Sequence, residues 1–115
     1  MKIKGNLPLL IKALKLLHLY GRHERAMSYL EFGTETGTHP HTTAPLLLRE
    51  VMAWCVKNDL PILTVVVVNK ATGHCSEGIN REYEFQTGRE LHIDRERMNI
   101  TGSTRFPEWV TKGVE

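Results

Sequence analysis

The chain has 115 residues, of which 41% are hydrophobic and 24% charged. That balance belongs to one folded domain with a small core, and it excludes a disordered tail. The longest apolar stretch, Ile62 to Val68 with Thr64 inside it, is far too short to cross a bilayer. Lys12 and Lys15 interrupt the apolar first helix and no small-residue cleavage site follows it, so no signal peptide, membrane span or membrane partner is expected. The cytoplasm is the expected compartment. Two cysteines, Cys55 and Cys75, do not make a disulfide framework, and both are expected as thiols.

The net charge of +2 conceals an asymmetry. Residues 1–25 carry Lys2, Lys4, Lys12, Lys15, Arg22 and Arg25 against Glu24 alone, which nets +5, whereas the remainder nets −3. A basic start of this kind suits nucleic acid or an acidic protein face.

In chain order, Asn6 is an N-cap and Pro8 falls in the first turn of a helix expected over Leu7 to Leu19, with Gly21 as its stop. Leu7, Leu10, Leu14 and Leu17 form one apolar stripe, and Leu9, Ala13, Leu16 and Tyr20 form a second beside it. Only the face of Lys12 and Lys15 is polar, so the helix is either buried on most sides or also meets a protein partner. Ser28 can cap a short helix from Tyr29 to about Thr34, stopped near Gly37. The segment Gly33 to Thr43, with five threonines, two glycines and a proline, is the most loop-like. A third helix begins at Thr42 or Thr43, carries Pro45 in its first turn and ends near Asn58, with Leu48, Val51, Met52 and Cys55 on one face and Arg49, Glu50, Ala53 and Lys57 outward.

Ile62 to Asn69 is rich in β-branched residues without alternation, which predicts a central strand covered on both faces. Lys70 to Gly73 reads as a turn. Ile79 to Gln86 alternates, with Ile79, Arg81, Tyr83 and Phe85 on one side, and predicts a half-exposed second strand. Asp94 to Ile100 can form one or two helical turns. Thr101 to Val110 is expected to be irregular, pinned by Phe106 and Trp109. Three helices followed by a strand pair predict a small α/β (α+β) domain of winged-helix-like architecture, in which the third helix and the turn would approach the grooves of DNA.

The segment Leu60-Pro61-Ile62-Leu63-Thr64-Val65-Val66-Val67-Val68-Asn69-Lys70-Ala71-Thr72-Gly73 resembles the central motif of a family of small, largely uncharacterised bacterial and phage proteins. There a helix ending in Tyr-Cys leads into a Leu-Pro-x-Leu-Thr-Val run, Val-Val-Asn-Lys and a Thr-Gly turn. Here Trp54-Cys55 holds the helix-end position, and the match covers about residues 46–78. The family's usual Pro-Gly after the turn is absent at Cys75 and Ser76. This resemblance implies bacterial or phage origin and no activity. A weaker similarity is to the winged-helix domain of alkyltransferase-like DNA-repair proteins. Their reactive Pro-Cys-His-Arg is missing where Leu60-Pro61-Ile62-Leu63 stands, which argues against alkyl transfer by such a site.

Lys12, Lys15, Arg22, Arg25, Arg49, Asn69 and Lys70 are the candidate nucleic-acid-binding residues, with the cations near the first helix on phosphates. His39, His41, His74 and Cys75 supply zinc-ligand types without the spacing of a zinc motif, and no bound metal or cofactor is expected. Cys75 beside His74 lacks a positioned base and reads as an inert turn cysteine, and Cys55 reads as a core filler. Glu77, Glu82 and Glu84 with Lys70 or Arg81 could hold magnesium in a nuclease, although acidic residues on an alternating strand are more often its solvated face. The sequence therefore favours a non-enzymatic nucleic-acid-binding module. A protein-binding module, such as a phage or mobile-element inhibitor acting through the apolar first helix, and a metal-dependent nuclease are the alternatives.

Overall fold

A computed structural model describes residues 3–112; Lys2, counted in the basic start, lies outside them. Six helices and two short strands follow in order: α1 (Leu7–Arg22), β1 (Met27–Ser28), α2 (Tyr29–Thr36), α3 (Thr43–Lys57), a 3-10 turn (Leu63–Val66), β2 (Val67–Val68), α4 (Glu77–Thr87), α5 (Ile93–Gly102) and α6 (Glu108–Thr111). The described chain is 62% helix and 4% strand, which overturns the expectation of an α/β (α+β) domain with winged-helix-like architecture. A wing needs an antiparallel hairpin after the third helix. Here β1 and β2 are parallel and far apart in sequence, pairing Met27 with Val67 and Ser28 with Val68.

The first three helices form where capping and periodicity place them. Asn6 Oδ1 accepts from Leu9 N at 3.2 Å, and Pro8 occupies the first turn of α1. Ser28 and Glu31 form a reciprocal capping box on α2, which ends at Gly37 with φ +73°. On α3 the predicted face of Leu48, Val51, Met52 and Cys55 is buried. The Thr43 hydroxyl accepts from His39 N at 2.7 Å and ties the preceding loop to the helix.

Gly21 does not stop α1; it lies inside the helix and permits a close crossing. A Cβ there would stand 2.8 Å from Ile100 Cγ2 and 3.1 Å from Val66 Cγ2. The absent side chain lets α1 settle directly onto α5 and the 3-10 turn. Both apolar stripes of α1 are used this way, against α2, α3, α5, α6 and the 3-10 turn, and Leu7 is left exposed at the first turn.

The Leu60 to Val68 segment is central and wholly buried, but it is not a long strand. A β-branched run specifies burial on both sides; extension also needs a partner for its backbone. Among the described residues only Met27 and Ser28 offer one, so two residues pair and the preceding four coil into a 3-10 turn against α1, α3 and α5. The second predicted strand is α4. Ile79 and Tyr83, four residues apart, are its buried pair, and Phe85 points away at 85% exposure. Alternation of polar and apolar residues is equally consistent with an i, i+4 pair on a polar helix. α5 extends the predicted helical turns to Gly102, and α6 replaces part of the irregular tail. Phe106 is buried, while Trp109 lies half-exposed with its ring centroid 5.7 Å from that of Trp54.

His18 is buried in α1 with Nδ1 lacking a hydrogen-bond partner among the described residues, and its ring meets Phe106 edge-on at 4.8 Å. Burial, reinforced by the nearby Arg22 cation, holds its pKa below the usual histidine value. The folded state therefore disfavours protonation. Above the unfolded pKa of about 6.5 both states carry a neutral ring and stability is complete; as pH falls through that value the unfolded chain protonates first and stability drains away. The urea midpoint is expected to fall between about pH 7.5 and 5.5, and His18→Leu to remove part of that fall. An unchanged pH profile in His18→Leu contradicts a neutral buried ring. Gly21→Val is expected to lower stability by about 1–3 kcal/mol through overpacking against Ile100 and Val66. A urea midpoint equal to that of the parent chain would show that the crossing has room to spare.

Candidate functional site

The parallel pairing places the carboxyl ends of β1 and β2 side by side, so the start of α2 and the Asn69–Gly73 turn emerge together. A groove of about 590 Å³ opens there, closed by α3 on one side and by the start of α4 on another. Its volume lies in the range of small-ligand sites. Leu48 and Met52 of α3, Ile79 of α4, Tyr29, Pro40 and Pro45 give it an apolar lining.

The polar groups have distinct states. Arg49 Nε lies 3.1 Å from Glu82 Oε1 across the groove, an ion pair with the arginine largely exposed. Lys70, also on the lining, is exposed. Asn69 Oδ1 accepts from Ala71 N at 2.9 Å and shapes the turn that carries Lys70. The hydroxyls of Tyr29 and Ser76 share a hydrogen bond of 2.9 Å, which joins α2 to the start of α4. Burial pushes the Tyr29 hydroxyl above its ordinary pKa, outweighing the opposing bond to Ser76, and keeps it protonated. Thr64 also lines the groove; it is 1% exposed, and its hydroxyl has no hydrogen-bond partner among the described residues.

Arg49, Asn69 and Lys70 are thus brought together from the sequence-predicted set, whereas Lys12, Lys15, Arg22 and Arg25 do not line this groove. Lys12 is exposed and Lys15 half-exposed on α1. Arg22 donates to the Thr111 carbonyl at 3.1 Å, fastening α6 to the end of α1. Arg25 stacks over Tyr20 with 5.4 Å to the ring centroid and borders a separate, smaller cavity of about 210 Å³. The sequence does not single out Ser28, Tyr29, Thr64 or Ser76 as site residues and offers Glu82 only as a metal ligand, because only the strand pairing and the helical form of α4 unite them.

The zinc candidates do not converge. His39 and His41 lie together in the α2–α3 loop, with His41 N donating to His39 Nδ1 at 3.1 Å. Among the described residues no group of three His, Cys, Asp or Glu side chains could hold a metal ion. The three glutamates sit on a helix, where Glu77 pairs with Arg81 at 3.0 Å and Glu82 with Arg49. No described helix is long and apolar enough to cross a membrane.

Comparison with protein-family models, curated proteins and solved structures gives no match to this chain.

The two cysteines differ in accessibility and chemistry. Cys55 is fully buried, and desolvation pushes its thiol up to about 12. Cys75 is half-buried, donates to the Val65 carbonyl at 3.3 Å and accepts from Arg97 Nη2 at 3.5 Å. Burial raises its pKa, and Arg97 draws it partly back. In the native protein at neutral pH, a thiol reagent is expected to label Cys75 slowly and Cys55 not at all, since only thiolate reacts. Rapid native labelling of Cys55 would contradict the α3 packing.

Proposed function

We propose that the chain is a non-enzymatic nucleic-acid-binding module whose working site is the groove, which takes an unpaired nucleotide of a single strand. The observation that carries this proposal is the convergence of Arg49, Asn69 and Lys70 on one apolar-lined cavity at the ends of the parallel strands. Single strands are held by cations on the backbone and by apolar or aromatic surfaces under splayed-out bases. Tyr29, Met52 and Ile79 supply such a surface, and Lys70 and Arg49 supply the charge. The exposed cations of α1 add a sequence-independent electrostatic contribution apart from the groove.

Glu82 opposes this function in the free protein by occupying Arg49. Glu82→Gln is expected to free the guanidinium and tighten binding of a short single-stranded oligonucleotide. Gly78→Leu gives the opposite test. A Cβ at Gly78 meets only the Ser76 hydroxyl, at 3.6 Å, so added bulk enters the groove without displacing the fold, and leucine favours helix over glycine by nearly 1 kcal/mol. Fluorescence anisotropy is expected to show binding lost in Gly78→Leu at undiminished thermal stability. Changing Lys12, Lys15, Arg22 and Arg25 to Gln is expected to flatten the salt dependence by roughly 0.7 per lost contact on a single strand. Oligonucleotide binding that Gly78→Leu leaves intact would move the site away from the groove.

A further inference from the structure

Two opposite charges line the groove from different helices, Arg49 on α3 and Glu82 on α4. Their 3.1 Å approach, Nε to Oε1, holds the charges together but leaves hydrogen-bonding capacity open. No N–H of the Arg49 guanidinium donates a hydrogen bond among the described residues. Glu82 Oε1 accepts from Gln86 Nε2 at 3.2 Å, one turn further along α4, which steadies the carboxylate. Its Oε2 has no hydrogen-bond partner among the described residues.

This pair is unlike the other ion pairs of the described chain. Their carboxylates are at least 82% exposed, whereas the Glu82 side chain is 23% exposed. A carboxylate largely withdrawn from water, with one oxygen unused, gains more from a ligand donor than a solvated one does. The groove therefore presents a fork of donors beside an acceptor, next to the apolar side chains of Met52 and Ile79. The complementary ligand is flat and carries acceptors followed by donors along one edge. Guanine has that edge: O6 and N7 accept, and N1–H and the N2 amine donate. Adenine and cytosine each carry one exocyclic amine as donor, and thymine one ring N–H.

From this geometry we infer that the Arg49–Glu82 pair reads the base in the groove, and that the base is guanine. The guanidinium donates to O6 and N7, and the carboxylate accepts from N1–H and the N2 amine. The inference rests on the groove being the strand-binding site and names the nucleotide that it takes. It also gives Glu82 two effects. On a strand without guanine it only neutralises Arg49; on a guanine-containing strand it makes contacts of its own.

The test measures fluorescence anisotropy of a short oligothymidine whose central nucleotide is dT, dA, dC or dG. The dG strand is expected to bind about tenfold tighter than the other three, the discrimination of one good bidentate base contact. Deoxyinosine, which lacks the N2 amine, is expected to fall between dG and dA. Glu82→Gln is expected to tighten the dT strand and to remove the advantage of dG, at unchanged thermal stability, since the pair is exposed on its arginine side. Arg49→Lys keeps the charge and loses the planar fork, so it is expected to retain the dT strand and to lose the dG preference. Equal binding of the four strands, abolished by Gly78→Leu, overturns the guanine assignment and leaves the groove as a strand-binding site. A dG preference that survives either Glu82→Gln or Arg49→Lys also overturns it, because another group then reads the base. Absence of binding, or binding that Gly78→Leu leaves intact, removes the groove reading and the guanine assignment with it.

Discussion

Two residue pairs, Met27 with Val67 and Ser28 with Val68, are the contact on which the site depends. They are the described sheet in its entirety, and they join segments about forty residues apart. Loop closure over that distance has an entropic cost that two ladder steps cannot offset alone. Surrounding burial supplies the difference. Val67 and Met27 are 0% and 1% exposed, and the 3-10 turn before Val67 is enclosed by α1, α3 and α5. The pairing in turn sets Tyr29 beside Asn69 and brings the start of α4 against α2 through the Tyr29–Ser76 bond. A change that expels Val67 from the core therefore dissolves the groove, although Val67 does not line it.

The limits of sequence reading are physical and can be located. Caps and i, i+3, i+4 stripes disclosed α1, α2 and α3, because helix formation is local and its signals lie within a few residues. The Leu60–Val68 segment disclosed its burial but not its conformation, since extension depends on a distant partner. In the α4 segment, period-2 alternation favours a strand while the end signals favour a helix, and the helix forms. Ser76, Glu77 and Gly88 mark a helix start and stop, and Gly88 does take the left-handed C-cap conformation at φ +70°. The site was legible only where it lay on local features, at Arg49 and in the Asn69–Lys70 turn. Thr64 carries no signal of its own, hidden in an apolar run, and Ser76 signals a helix start but not its place beside Tyr29.

Charge distribution separates two roles. The cations of α1 give the chain a basic surface, but Arg22 and Arg25 are also engaged with Thr111 and Tyr20, which ties them to the packing of the chain's own ends. Exposed pairs of this kind contribute little to stability and leave the charge available to solvent. Long-range attraction to phosphates needs only that charge, whereas recognition needs concavity, dehydrated surface and fixed donors. Concavity and apolar surface meet in the groove, where Arg49 and Lys70 join an apolar lining. Under the proposed function, attraction and recognition fall to different parts of one small molecule.

The central claim is that ligand is recognised at the ends of β1 and β2 and not by the basic cluster from Lys12 to Arg25. Backbone amide shift mapping of the protein titrated with a short single-stranded oligonucleotide addresses it directly. The account predicts the largest shifts at Tyr29, Arg49, Asn69, Lys70 and Gly78, with smaller, salt-sensitive shifts along Lys12 to Arg25. Shifts confined to Lys12 to Arg25, with the groove residues unmoved at saturation, would contradict it.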